Sequence, residues 1–421
     1  MAKVTFQTDI CKGCGLCIAA CKKELLVMSK EKINAKGHHP VEMTDESECV
    51  GCTNCATMCP DCVITVERCT AMTDKVLMKG NEAIAEAAIM AGCRHYFGYP
   101  ITPQTEVAAY MAKRMPKIGG TFLQAESEIA AVNMVIGAAA AGVRTMTSSS
   151  SPGISLKSEG LSYMAGCELP ALIVNVQRGG PGLGGIQPSQ SDYFQATRGG
   201  GHGDYHMLVL APGSVQEMAD MTVKGFELAE TYRMPCMLLA DGTMGQMMEP
   251  VVLDVENVKT VEKPWALTGT KCQRKHNVVN SLSLIPEELE QWNLKRYERY
   301  EYIQENETLC EEFMTEDADI IVVAFGIAAR VSKNAVVAAR KEGLKVGMIR
   351  PITLWPFPKK QLAKAAEHCK HFISVELSMG QMIEDVELAI RCSRPVSLCT
   401  RVGGVIPSPE EVLEAIHKVN L

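Results

Sequence analysis

Ten of the chain's 18 cysteines precede residue 70, and eight of them form two runs of identical spacing. Cys11-Lys-Gly-Cys14-Gly-Leu-Cys17-Ile-Ala-Ala-Cys21 returns as Cys49-Val-Gly-Cys52-Thr-Asn-Cys55-Ala-Thr-Met-Cys59-Pro60, with Gly13 repeated as Gly51. Three thiolates separated by two residues can wrap one iron–sulfur cube through a tight, glycine-assisted loop, while a fourth at the start of a short helix points across to a second cube. The pattern therefore assigns one [4Fe-4S] cluster to Cys11, Cys14, Cys17 and Cys59, and the other to Cys49, Cys52, Cys55 and Cys21. A zinc site closes with four ligands in C-x2-C pairs, and a redox dithiol needs only two cysteines, so neither uses a doubled set of eight. Lys22 stands where the second run has Pro60, which leaves the turn after Cys21 less fixed. Cys62 and Cys69 are extra, and Cys62 lies close enough to Cys59 in sequence to substitute for it.

Residues 1 to about 70 resemble the bacterial two-cluster ferredoxins, which carry the same doubled spacing. Beyond them, several stretches hold residues suited to chemistry. Gly98-Tyr99-Pro100-Ile101-Thr102-Pro103 follows a strand-like run, Glu126-Ser127-Glu128 opens an alanine-rich helix, and Arg178 follows an apolar strand. Each has an ordinary explanation: Thr102 as a turn residue between prolines, Arg178 as a surface charge, and Glu128 as a helix N-terminal acid satisfying the macrodipole. Gly180-Pro-Gly182-Leu-Gly184-Gly185 has G-x-G-x-x-G spacing after a strand. No long apolar helix follows to face a pyrophosphate, and no strand-ending acid comes about 20 residues on, so it is not read as a dinucleotide site.

The elements that must position these residues alternate. A helix ends at Gly92, a strand covers His95 to Gly98, and the helix from Glu128 reaches Gly142, followed by strand Val143 to Thr147 and a loop Ser148 to Gly153. Leu172 to Val176, Met207 to Leu210 and Met237 to Ala240 read as further buried strands of a wound α/β sheet. Between Leu284 and Asp319 there are 12 acidic and 3 basic residues, a local net of −9 in a chain whose total is −7, which predicts a solvated, partly helical linker. Strands Ile320 to Phe325, Lys345 to Ile349 and Phe372 to Glu376 then form a second, smaller α/β domain, with a proline-rich crossover at Pro351 to Pro358 and a last helix from Pro409. The expected domains are 1–72, 73–265, an acidic linker 266–318, and 319–421.

With 421 residues, 47% of them hydrophobic, the chain can bury several cores. It lacks a basic block long enough to track a phosphate backbone, which excludes nucleic acid. The longest charge-free hydrophobic stretch runs only from Ile129 to Val143 and contains Asn133. That is too short to span a bilayer, and no secretory signal is recognisable, so a soluble, cytoplasmic protein is expected. In a reducing cytosol the cysteines serve metal ligation rather than a disulfide framework.

The Gly98–Pro103 element, Glu126-Ser127-Glu128-Ile129-Ala130-Ala131 before Gly137-Ala138, and Val176-Gln177-Arg178-Gly179-Gly180-Pro181 occur in the order and spacing of one family. Over residues 75 to 421 the chain resembles the α subunit of the 2-oxoacid:ferredoxin oxidoreductases, and Gly182 to Gln195 is similar to the branched-chain (2-oxoisovalerate) members. The resemblance implies two thiamine-enzyme-type wound α/β domains behind the ferredoxin-like one, the last of them transketolase-C-like. It also implies CoA-dependent oxidative decarboxylation of a 2-oxoacid to acyl-CoA and CO2, with electrons leaving through the clusters to ferredoxin.

By the same resemblance Glu128, nine residues before the Gly-Ala pair, is the carboxylate that bonds the cofactor's pyrimidine nitrogen, with Glu126 as runner-up. Pro100, Ile101 and Thr102 border the cofactor. Thr102 would also bond the substrate's 2-oxo or carboxylate group, and Arg178 would bind the carboxylate. The family's Gly-Asp-Gly element for the diphosphate and Mg2+ is matched only by Ala240-Asp241-Gly242, without its Asn-rich continuation. The thiamine site is therefore expected to be shared with a β subunit, in a complex that also has a γ subunit and is duplicated by a two-fold axis. A 2-oxoglutarate enzyme and an aryl-pyruvate enzyme share this chemistry; an electron-carrier or scaffold subunit without catalysis is the rival of another class.

Overall fold

The computed structural model describes residues 2–68, 75–253 and 258–420. The chain divides between Lys75 and Val76 into two units. Cys69 and the boundary expected at residue 72 lie outside the described residues.

In the first unit both cysteine runs turn at a left-handed glycine, Gly13 at φ +65° and Gly51 at φ +63°. A side chain at residue 13 would meet the His39 carbonyl oxygen at 2.7 Å, so backbone conformation and packing both demand glycine there. Each run then enters a short helix, Leu16–Ala20 or Asn54–Thr57. The fourth cysteine is expected to open a helix; instead the third lies inside it and the fourth follows its end, Cys21 directly and Cys59 two residues on. One turn of helix thus separates the third and fourth cysteines of each run. Strand Ala2–Phe6 pairs antiparallel with Ile64–Arg68, and Leu26–Met28 with Val41–Met43. Val4, Leu26, Val41, Val63 and Ile64 pack in one cluster with the buried Cys11, Cys17 and Cys55.

The second unit holds a seven-stranded sheet in the order Thr353–Trp355, Leu208–Leu210, Pro235–Asp241, Ala171–Gln177, Thr145–Ser149, His95–Gly98, Thr121–Gln124. All neighbours are parallel except the first pair. The central strands are buried along their whole length, as a parallel sheet covered by helices on both faces requires. From His95–Gly98 the chain moves out to Thr121–Gln124, then returns past it to Thr145–Ser149. The carboxyl ends of His95–Gly98 and Thr145–Ser149 therefore flank the point where strand order reverses, which is where wound sheets open a crevice for ligands.

A second sheet has the order Cys310–Phe313, Val346–Pro351, Ile320–Ala324, His371–Glu376, Val396–Thr400, antiparallel only at its first pair. Three expectations change. The 266–318 stretch has a helix, Pro286–Asn306, as a partly helical linker would, but it also supplies the edge strand Cys310–Phe313. On the edge strand Glu311 is paired: it accepts from Arg350 Nε at 2.8 Å and from Lys333, while both Nη of Arg350 donate to Glu217 at 2.8 Å. The proline-rich crossover contains the strand Thr353–Trp355, which leaves the second sheet to complete the first. Ser148 and Ser149 end a strand and Ser151 begins helix Ser151–Gly166, so the serine run is a strand-to-helix turn rather than an open loop. Among the described residues no helix is long and apolar enough to cross a membrane.

Candidate active site and cluster ligands

The segments singled out in the second unit all leave carboxyl ends of the large sheet. Gln104 anchors the first of them. Fully buried, it donates from Nε2 to the Tyr99 carbonyl at 3.2 Å and accepts at Oε1 from Ser148 Oγ at 2.5 Å. Because Ser148 spends its proton on Gln104, the Tyr96 hydroxyl 2.7 Å away donates to Ser148. This chain of bonds fixes residues 99–104 against strand Thr145–Ser149, and neither Gln104 nor Tyr96 carries a motif that would have marked it. Pro100 and Thr102 are exposed and Ile101 is half-buried.

Arg178 is buried and lies directly on this loop: Nη1 donates to the Thr102 carbonyl at 3.0 Å and Nη2 to the Leu183 carbonyl at 3.3 Å. Its backbone N–H donates to Ser151 Oγ at 3.0 Å, while its Nε has no partner among the described residues. Thr102 and Arg178, distant in sequence, are thus joined, with Ser151 bonded to the same arginine. The Gly180–Gly185 run makes a turn that closes through an Arg178–Pro188 bridge and opens no helix, as expected of a segment that is not a dinucleotide loop.

Glu128 begins helix Glu128–Ala140, whose N-cap Ser127 accepts from the Ala130 N–H at 3.2 Å. Glu128 is buried, whereas Glu126 is exposed. The Glu128 carboxylate accepts no hydrogen bond from the described residues. Its Oε1 lies 2.7 Å from where a side chain at Gly153 would begin, and Ser149 Oγ lies 2.0 Å from the same point. The Ser149 and Ser150 hydroxyls are buried without partners. A buried carboxylate with open acceptor capacity beside two orphaned hydroxyls is a donor set waiting for a polar ligand, and it fits the aminopyrimidine of thiamine. A cleft of about 590 Å³ opens at Ser151, lined also by Gly179 and Asp192 and by Ser378, Met379 and Gln381; Glu128, Ser149 and Ser150 do not line it.

Asp241 does not contribute free oxygens. It caps the turn after its strand, accepting at Oδ1 from the Thr243 and Met244 N–H groups and at Oδ2 from the Ile327 N–H. Burial pushes its carboxyl up to about 6, against those three bonds.

In the first unit the thiols group as two sets. Burial raises the Cys17 thiol, and the cysteines that add to this electrostatically are Cys59 and Cys11. Burial likewise raises Cys55, whose cysteine neighbours are Cys52, Cys21 and Cys49. Cys14 and Cys52 are exposed, as is Cys62, which stands at φ +50°. The crossing of Cys21 and Cys59 between runs is what two neighbouring cubes require.

Residues 86–314 match the family described as pyruvate flavodoxin/ferredoxin oxidoreductase, thiamine diphosphate-binding. Residues 318–412 match pyruvate:ferredoxin oxidoreductase core domain II, and residues 10–63 match a 4Fe-4S dicluster domain. The chain belongs to the 2-oxoacid:ferredoxin oxidoreductase family, with a thiamine diphosphate-binding domain and an iron–sulfur dicluster domain in one polypeptide. It is 50% identical over 344 residues to the ketoisovalerate oxidoreductase subunit VorB of Methanothermobacter marburgensis, covering 82% of this chain and 97% of that one. It is 38% identical over 376 residues to the 2-oxoglutarate synthase subunit KorA of the same organism, covering 82% and 99%. A solved structure of 2-oxoglutarate:ferredoxin oxidoreductase from Magnetococcus marinus, with 2-oxoglutarate, coenzyme A and succinyl-CoA bound, superposes with a TM-score of 0.74 at 31% identity, covering 82% of this chain and 65% of that one.

Proposed function

We propose that this chain is the α subunit of a complex that converts 2-oxoisovalerate, coenzyme A and two oxidised ferredoxins to isobutyryl-CoA, CO2, two reduced ferredoxins and a proton. The observation that carries the mechanism is the buried, unbonded Glu128 carboxylate at the strand-order reversal. The higher identity to the ketoisovalerate relative supports the substrate; the 2-oxoglutarate relatives keep 2-oxoglutarate as the second reading.

Bound thiamine diphosphate supplies a nucleophilic thiazolium carbon and an acceptor for the electron pair left by CO2. Glu128 would hold the proton shared with the cofactor's pyrimidine nitrogen, which is the acid–base role that activates thiamine. Pro100 and Ile101 form the wall beside it. Thr102 offers its hydroxyl to the substrate's 2-oxo group, and Arg178, with its remaining N–H groups, takes the carboxylate while its Nη1 keeps Thr102 in place. Since Asp241 is committed to its cap, the diphosphate and Mg2+ fall to a β subunit. A γ subunit and a two-fold copy complete the assembly, in the cytoplasm. Cys11, Cys14, Cys17 and Cys59 hold one cluster and Cys49, Cys52, Cys55 and Cys21 the other, passing electrons singly to ferredoxin.

CoA-dependent viologen reduction by the anaerobic complex, compared as kcat/KM across 2-oxoisovalerate, 2-oxoglutarate, pyruvate and indolepyruvate, tests this reading. Preference for 2-oxoisovalerate is expected; preference for 2-oxoglutarate moves the substrate assignment to the second reading, and no turnover with any of the four overturns the catalytic one. Arg178→Lys is expected to raise KM for the 2-oxoacid about tenfold with a smaller fall in kcat, because an ammonium cannot grip Thr102, Leu183 and a carboxylate together. A fall confined to kcat would remove Arg178 from substrate binding.

A further inference from the structure

Helix Ser151–Gly166 carries a lysine that is completely buried. Lys157 Nζ donates to Thr147 Oγ1 at 2.6 Å and to the Ser148 carbonyl at 3.2 Å, both on the strand that ends at the site. An ammonium has three N–H donors, so one is left uncommitted among the described residues. Lys157 stands one turn beyond Gly153 on the same helix face, and helical side chains lean toward the N-terminus, so its stem runs back toward the place where Glu128 Oε1 lies over Gly153. The packing there is tight: a side chain at Gly160 would meet Val132 Cγ1 at 2.5 Å, which holds helix Glu128–Ala140 close against the lysine's helix.

We propose that Lys157 is a positioning residue for the Glu128 site: a buried ammonium, anchored on Thr147 and Ser148, that places a positive charge near the Glu128 carboxylate, without a direct hydrogen bond to it, across the gap left by Gly153. The proposal rests on the reading of Glu128 as the carboxylate that meets the cofactor. Two titratable groups bear on Lys157: Glu128 from the facing helix, and Tyr96 from the next strand through Ser148. Of these only Glu128 acts on Lys157 electrostatically, and it favours the charged lysine; burial opposes it and brings the ammonium down to about 7.

Nothing in the fold explains so costly a group. The unfolded chain keeps this proton up to its ordinary value of 10.5, so burial of Lys157 destabilises the fold most below pH 7, and the penalty is relieved as pH rises from about 7 to 10.5. Buried ionisable groups retained against such a penalty mark function.

The test uses the whole complex carrying Lys157→Met, which keeps the side chain's length without its charge, and Thr147→Val, which removes one anchor. Two quantities are read between pH 5.5 and 8: the affinity for thiamine diphosphate by titration calorimetry after removal of the cofactor, and kcat/KM. Lys157 itself changes charge near pH 7, so the limb of both profiles that crosses that pH is expected to move by about one pH unit in Lys157→Met and by less in Thr147→Val. Thiamine affinity at pH 6 is expected to fall about tenfold, while the melting temperature holds or rises. Unchanged limbs in both variants overturn the proposal. If Glu128→Gln itself leaves turnover intact, the failure lies with the reading of Glu128 rather than with Lys157.

Discussion

Glu128→Gln is expected to slow acyl-CoA formation by at least about a hundredfold, the lower range for losing a positioned proton-transfer group, while the absorbance of both clusters stays as it was. The amide keeps the size of the carboxyl and its place above Gly153 but cannot hold the proton that the pyrimidine nitrogen must share. Glu126→Gln is the matched control, since its side chain is exposed and stands before the helix begins. Single-turnover measurement of CO2 release separates this chemical step from later electron delivery. A rate within twofold of the native one would reduce Glu128 to a helix N-terminal acid, a contribution of about 0.3–1 kcal/mol to stability and none to catalysis.

Cys59→Ser should remove about half of the iron and acid-labile sulfide, because it deprives the set of Cys11, Cys14 and Cys17 of its fourth thiolate. Cys62→Ser should leave both clusters in place, because the doubled spacing supplies eight ligands without it. Iron analysis with electron paramagnetic resonance of the reduced complex distinguishes the two variants. Full iron in Cys59→Ser together with loss in Cys62→Ser would move the fourth ligand of the second run from Cys59 to Cys62. Thiamine-dependent decarboxylation should survive in either case, since both substitutions fall in the first unit and Glu128 in the second.

The cysteine sets are legible in the sequence because ligand spacing is a local constraint written into consecutive residues. The alternating strands are legible for a similar reason: Ala171–Gln177 and Pro235–Asp241 are continuous apolar runs with few alternatives. Glu128 is not separable from an ordinary capping acid by its own surroundings, and only the family motif distinguishes it; the contact that covers it comes from Gly153 on a helix that begins later, at Ser151. Lys157 carries no such mark. Followed by Ser158 and Glu159, it looks like part of a solvated face. The available signal is the spacing of Gly153 and Gly160 around it, which marks that face as the one pressed against another helix. The edge strand Cys310–Phe313 is hidden by its acidity, which only the distant Arg350 and Lys333 explain.

The two matched regions of the second unit, 86–314 and 318–412, suggest modules that relatives could exchange singly, but the strand Thr353–Trp355 is encoded in one and folded into the other. Swapping residues 318–421 for a distant relative's would leave Leu208–Leu210 with a bare hydrogen-bonding edge, open to pairing with another chain. It would also strip Glu217 of its guanidinium partner. Exchange between relatives is therefore expected to keep the whole of residues 76–421 together, so that the unit of recombination is set by one borrowed strand rather than by the boundaries of either sequence family.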